Sequence, residues 1–205
     1  MLAHYLARYD GGRYAKLLLE DDIHQVNADK IGISRRQVKT VCYSFLYGAG
    51  DERIGQSYDP QLSTSEAKRK GKEIRAAFIE AVDGLGELLE AIKKVAKQGS
   101  VRSIDGRQIA VDSPHKALNY LLQSGAGVIA KRWMVINQDT IKQAQLCASQ
   151  LAFIHDELQF ECSREHVSEL STSLVYSALA AGEYYKLRIK IEAESVQGDN
   201  WSSTH

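Results

Sequence analysis

Proline is almost missing from this chain, Pro60 and Pro114 being the only two. Long stretches rich in Ala, Leu, Lys, Glu and Gln therefore run without a residue that would break a helix, and a helix-dominated α+β fold with a small sheet is expected. Cysteine is scarce as well. Cys42, Cys147 and Cys162 make an odd set without CxxC spacing, so neither a disulfide framework nor a zinc site is indicated, and a reducing cytoplasm fits best. No apolar run reaches membrane length, and the opening MLAHYLARYD interrupts its apolar residues with His4, Arg8 and Asp10, so no membrane association or targeting is expected. Internal repeats and low-complexity tracts are absent. Net charge is absent too, with 26 basic against 26 acidic residues, and the total argues neither for nor against a nucleic-acid partner. The 205 residues still suffice for one large or two small domains with a real core.

The distribution of charge says more than its sum. Lys30, Arg35, Arg36 and Lys39 form a basic cluster with no acid between Lys30 and Gly50, and KRKGKEIR (68–75) forms a second, which reads most simply as a solvated helix face. Apart from Lys30, the first cluster lies in SRRQVKTVCYSFLYG (34–48), where Arg35, Lys39, Tyr43 and Tyr47 recur every four residues. On a helix that spacing lays the four side chains along one slanting stripe. Ser34 with Gln37 can form a capping box, and Gly48 suits a left-handed helix end. Two cations and two flat rings on one face suit a nucleoside triphosphate, the cations for phosphate and a ring for sugar or base. The same pattern also describes a surface helix with solvated cations and tyrosines snorkelling from the core.

Along the chain, Leu2, Tyr5, Leu6 and Tyr9 have helical spacing up to Gly11-Gly12, and DDIHQVNADKIG reads as a short helix capped by Asp21 or Asp22. Ser63 or Ser65 can cap a long helix running to about Gln98, with DGLG inside it as a candidate break. SVRSIDGRQIAVD alternates around a DG turn and reads as a β-hairpin. Ser113 and Pro114 open a long helix through ALNYLLQSGAGVIAKRWMVINQDTIKQAQ. LAFIHDELQFEC reads as two strands meeting at an acidic turn, EHVSELSTSLVYSALAAGEYY as an amphipathic helix, and LRIKIEAES as a strand.

At the acidic turn, Asp156 and Glu157 follow His155 among Phe153, Ile154, Leu158 and Phe160. Adjacent carboxylates on a hairpin tip suit a hard divalent cation such as Mg²⁺, which takes one or two carboxylates plus substrate phosphates. An ordinary exposed turn uses the same polar residues.

Together these segments resemble a known family. RRQVKTVCYSFLYG resembles the fingers-helix pattern of family A, DNA polymerase I-like, DNA polymerases: Arg, three residues, Lys, seven residues, Tyr-Gly. FIHDELQFE resembles their His-Asp-Glu palm motif. DIHQVNA (22–28), DGRQIAVDSPHKALNYLLQS (105–124) and the terminal NWSSTH are similar to further family segments, in the family's order, and LYGAGDERIGQ and SPHKALNYLLQS resemble the replicative bacteriophage branch most. The resemblance implies a right-hand polymerase in which residues 1–20 are a palm helix, 21–98 the fingers and 99–205 the C-terminal part of the palm. It implies template-directed DNA synthesis on primer–template DNA, in the cytoplasm of a bacterial host if phage-encoded. Arg35, Lys39 and His24 would bind the triphosphate of the incoming dNTP, with Lys39 also protonating the departing pyrophosphate. Tyr43 would pack on the deoxyribose and Tyr47 would guard the template-base position. Asp156, with Glu157 beside it, would ligate two Mg²⁺ ions that hold the attacking and leaving oxygens. His155, Gln123, Asn119 and Arg107 would line the duplex.

The chain also departs from the family. The pattern Asp-x-Ser-x-x-Glu-Leu-Arg, which carries the other metal-binding Asp and precedes a segment like MLAHYLARYD, has no counterpart here, and Asp10, Asp21 and Asp22 lack its context. A thumb and an exonuclease domain have no counterpart either. The expectation is therefore the C-terminal part of a polymerase, inactive alone, whose remaining portion acts in cis or in trans. A separate subunit of a split polymerase and a non-catalytic DNA- or nucleotide-binding remnant are the alternatives.

Overall fold

The computed structural model describes residues 1–204. It is helix-dominated, as the composition predicts, and its β structure is confined to two small antiparallel sheets. The chain forms two compact units, Met1–Gly125 and the residues from Ala126 onward.

The first unit opens with α1 (Leu2–Leu6), α2 (Arg13–Glu20) and α3 (Ile23–Ile31). Asp22 caps α3, its carboxylate accepting from the backbone N–H of His24 and Gln25. Next come α4 (Arg35–Leu46), α5 (Asp51–Tyr58), α6 (Thr64–Ala81) and α7 (Leu85–Ala96). Ser63 closes a capping box with Glu66 at the start of α6, and DGLG does separate α6 from α7. Strands β1 (Ser100–Arg102) and β2 (Gln108–Ala110) pair antiparallel, Val101 opposite Ile109. Ser113 departs from its expected role. It stands before a single 3-10 turn at Pro114–Lys116 without capping it, its hydroxyl bonding instead to His115 Nδ1, and only then does α8 (Ala117–Gln143) begin.

One hydrophobic core holds this unit together. Leu6, Val41, Phe45, Ile54, Phe78, Leu85, Leu88 and Leu121 are buried in it, and Phe45 meets Phe78 edge to face with ring centroids 4.9 Å apart. Burying such side chains stabilises by roughly 1.5–3 kcal/mol each. Helices α5 and α6 touch backbone to backbone. A Cβ at Gly55 would overlap the Ala67 carbonyl, and one at Gly71 the Asp51 carbonyl, so glycine at both positions is what allows the approach.

In the second unit, the end of α8 is followed by β3 (Ala148–Ile154), β4 (Glu157–Cys162) and α9 (Val167–Tyr184). β3 and β4 pair antiparallel with a bulge between Gln150 and Ala152. Ile141, Leu146 and Leu170 form a small core that Ala148, Phe160, Cys162 and Leu174 flank. Helix α9 packs through a polar seam, where Ser173 Oγ donates to Asn137 Oδ1 at 3.2 Å and Trp133 Nε1 donates to the Leu174 carbonyl.

LRIKIEAES (187–195) is not a strand. Leu187, Ile189 and Ile191 are half-buried while Arg188, Lys190 and Glu192 are exposed, yet no ladder forms. The alternation is present, but a strand also needs a neighbour to bond.

Candidate functional site

Helix α4 is built to hold its exposed face still. Ser34 Oγ accepts from the Gln37 N–H at 3.3 Å while Gln37 Oε1 accepts from the Ser34 N–H at 3.1 Å, the reciprocal box that the sequence predicts. Val38, Val41, Cys42 and Phe45 are buried on one side. Arg35, Lys39, Tyr43 and Tyr47 are all exposed on the other, Tyr43 by 51% and Tyr47 by 61%. Tyr47 is the C-terminal cap and Gly48 follows with φ +76°. Burial pushes the Cys42 thiol up to about 11, which makes it a core residue rather than a nucleophile.

Helix α3 brings His24 to this face. Its ring centroid lies 6.3 Å from that of Tyr43. Asp22 joins the two helices: one carboxylate oxygen caps α3 and the other accepts from Arg35 Nε at 2.6 Å. The Arg35 hydrogen bond holds the Asp22 carboxyl below its usual range. Partial burial lowers His24, the Arg35 and Lys39 charges lower it further, and Asp22 opposes them. His24 is therefore neutral at neutral pH, and its Nδ1 is a buried ring nitrogen without a hydrogen-bond partner. Lys39 forms no ion pair among the described residues. The face thus combines a free ammonium, a guanidinium neutralised only at the surface, an unpaired imidazole nitrogen and two exposed rings. Such groups recognise phosphate, sugar and base.

Arg107, Asn119 and Gln123 lie elsewhere in the same unit. Arg107 is beyond the β1–β2 turn, its Nε donating to Asp105 at 2.5 Å. Asn119 and Gln123 are on α8, four residues apart and thus on one helical face. Ser103 and Ser124 hydrogen-bond at 2.5 Å, tying the hairpin to α8.

His155, Asp156 and Glu157 are together in the second unit. Ile154 pairs with Glu157, leaving His155 and Asp156 as a two-residue turn. His155 has φ +54°, a left-handed conformation that costs a non-glycine residue about 1–2 kcal/mol. Glycine would adopt it freely, so the histidine side chain is retained against a backbone cost. Asp156 is exposed at the tip, whereas Glu157 is half-buried and accepts a hydrogen bond from the Gln159 amide. Two adjacent carboxylates at an open tip suit Mg²⁺ in donor chemistry. They are not a cage, because the described residues hold no group of three or more His, Cys, Asp or Glu placed to bind a metal ion.

The sequence reading finds the α4 stripe, His24 and the hairpin tip. It misses Asp22 as the partner of Arg35 and the strain at His155. The Asp22–Arg35 pair spans 13 positions and depends on how α3 packs on α4, which no local spacing encodes. The strain could have been suspected, since a two-residue hairpin turn ordinarily asks for glycine or asparagine.

Comparison with known proteins bears on the family of the chain. The model of DNA polymerase family A matches residues 13–203. The DNA-directed DNA polymerase of Enterobacteria phage T3 is 33% identical over the whole of this chain, and that of Escherichia phage T7 is 32% identical. The chain spans 31% of the length of each. Among solved structures, the polymerase domain of Pol1 from M. smegmatis, in complex with DNA primer-template and dNTP, superposes with a TM-score of 0.79 at 25% identity, covering 98% of this chain and 38% of that one. With the family model matching nearly its whole length, the chain belongs to DNA polymerase family A.

Proposed function

We propose that this chain contributes the dNTP-binding face and one metal-binding carboxylate pair to a family A DNA polymerase that extends a primer on a DNA template. The observation that carries this reading is the capped helix α4. It presents Arg35, Lys39, Tyr43 and Tyr47 on one exposed face beside His24, in a chain of this family. Residues 1–20 would be a palm helix, 21–98 the fingers and 99–205 palm.

In this reading Arg35 and Lys39 offset the charge of the triphosphate, and His24 supplies a hydrogen bond to it. Arg35 exchanges part of its bond to Asp22 for phosphate oxygens. Lys39, unpaired in the free chain, gives a proton to the departing pyrophosphate. Tyr43 packs on the deoxyribose, and Tyr47 stands at the template base. Arg107, Asn119, Gln123 and His155 touch the sugar-phosphate backbone or minor groove of the primer–template, contacts that position DNA without reading its sequence. Asp156, with Glu157 alongside, supplies oxygen ligands for Mg²⁺. When bound, the metal stabilises the attacking 3′ oxygen and the leaving oxygen of an in-line displacement.

A lone carboxylate pair leaves the coordination incomplete, so further ligands come from the nucleotide and from polymerase sequence outside this chain, in cis or in trans. Exposed apolar residues of the second unit support such a partner: Leu151, Phe153 and Ile154 on β3, Val175 and Tyr176 on α9.

Primer extension tests the proposal. The pure chain with Mg²⁺ is expected to add no nucleotide. Supplied with the remaining portion of a phage relative, it is expected to extend a primer, and Asp156→Ala or Lys39→Ala should each cut the rate by at least about a hundredfold. Extension indifferent to both substitutions would contradict the reading.

A further inference from the structure

Helix α6 grips the segment that follows Tyr47. Arg75 Nε donates to Asp51 Oδ1 at 2.6 Å, and its Nη2 donates to the Ala49 carbonyl at 2.5 Å. The guanidinium also lies over the Phe45 ring, 5.4 Å from its centroid. The side chains of Arg75 and Asp51 are each only 30% exposed, so this pair is shielded in a way that the outer ion pairs of the molecule are not. One turn before Arg75 on the helix, Gly71 lets the backbone of α6 meet the Asp51 carbonyl. Almost one turn after it, Phe78 packs on Phe45.

Residues 71, 75 and 78 share one face of α6, and along it they hold the last turn of α4, the linker and the first turn of α5. Tyr47 lies between two of the gripped points, Phe45 and Ala49. Tyr47 is 61% exposed and so receives little support from packing. The Gly48 and Ala49 N–H groups donate back to the Phe45 and Ser44 carbonyls, each at 2.9 Å, closing the end of α4. Gly48 approaches the backbone of His115 and Lys116, a Cβ there falling 3.5 Å from the His115 carbonyl oxygen and Lys116 Cα. The linker is therefore held from both sides while the tyrosine projects from it. A single guanidinium supplies the only side-chain bond to the linker's carbonyls recorded among the described residues.

We infer that Arg75 is a positioning residue for Tyr47: by clamping Ala49 and Asp51 it fixes the backbone from which the Tyr47 ring is presented to the template base. The inference rests on the proposed function for the identity of what Tyr47 faces, but the clamp itself is a property of this chain. The fork geometry is essential to it. Arginine can reach a carboxylate and a carbonyl together in one plane, whereas a lysine ammonium at this site can bond one acceptor well and leaves the other to water.

The test uses the full chain labelled with 3-fluorotyrosine, the Tyr47 ¹⁹F resonance being assigned by its loss in Tyr47→Phe. Arg75→Ala is expected to shift and broaden the Tyr47 resonance. It should also speed hydrogen exchange of the Gly48 and Ala49 amides about tenfold or more, the size of one charge-assisted hydrogen bond, with amides of α7 unchanged. Asp51→Asn, a milder change at the other end of the clamp, should move the same signals less, and Arg75→Lys should restore them in part. If Arg75→Ala does not fold, Asp51→Asn and Arg75→Lys carry the test alone. The inference is overturned if the Tyr47 signal and the two amides match wild type in these variants. It is overturned equally if exchange rises uniformly across the first unit, which marks a merely structural role. Binding of a fluorescent dNTP, measured in parallel, reports on the proposed function. Loss of that binding in wild type sinks the functional reading and leaves the clamp standing.

Discussion

Helix α4 and the β3–β4 hairpin carry the two halves of the candidate chemistry and are supported in opposite ways. Helix α4 is capped at its start, gripped at its end, and buries Val38, Val41, Cys42 and Phe45 in the large core of its unit. Its cations and rings stand on a rigid element, which favours electrostatic recognition because little reorganisation is needed when the ligand arrives. The hairpin rests on a cluster of three buried residues, exposes Leu151, Phe153 and Ile154, and places its carboxylates on a turn whose first residue is strained. A binding face can be complete on its own. A metal site with two carboxylates cannot, and the hairpin that holds them leaves Leu151, Phe153 and Ile154 exposed on the strand leading into the turn.

Substitutions on the two elements should differ in cost by several kcal/mol. The largest effect belongs to the core behind α4. Phe78→Ala removes the ring that packs on Phe45 and should cost about 3–5 kcal/mol, whereas Leu151→Ala on the hairpin, 63% exposed, should stay within about 0.5 kcal/mol. Urea denaturation followed by circular dichroism separates the two. Equal costs would mean that the hairpin leucine is packed in solution. Ser34→Ala removes the capping box and should lower stability by about 1 kcal/mol, visible in the same titration.

On the hairpin the sign reverses. His155→Gly replaces a strained left-handed residue and should stabilise by roughly 0.5–1 kcal/mol once the added freedom of the unfolded chain is counted. A loss of stability on this substitution would show that the His155 side chain contributes more than its backbone costs.

The smallest effect is the pH dependence of His24. Folding lowers its pKa, so as pH falls through the ordinary imidazole range the unfolded chain takes up the proton first, and this contribution to stability is lost with falling pH. His24→Gln should flatten that part of the stability profile. Because the ring is only partly buried, the change will be slight, and Asp22, whose carboxyl is held low, acts in a more acidic window.

What could be read from the chain itself follows the range of the physics involved. The ends of α4, a serine cap at Ser63 or Ser65, the break at DGLG and the two hairpins are local, and each was legible from caps, turns and periodicity; the structure settles the cap on Ser63. LRIKIEAES shows the limit, for its alternation is real while its pairing depends on a neighbouring strand. The Asp22–Arg35 and Arg75–Asp51 bonds span 13 and 24 positions and exist because α3 packs on α4 and α6 on α5. Of the candidate site, the groups that would touch ligand and the local cap of α4 were visible as motifs, and the long-range groups that brace them, Asp22 and Arg75, were not.

The proposed function requires that the α4 face bind a nucleoside triphosphate without help from the hairpin carboxylates. Titration of the pure chain with a fluorescent dATP in the absence of divalent cation decides this. Saturable binding is predicted, weakened about tenfold or more by Lys39→Ala through loss of a charge-assisted phosphate contact and left unchanged by Asp156→Ala. Binding that ignores Lys39→Ala, or that vanishes with Asp156→Ala, would contradict it.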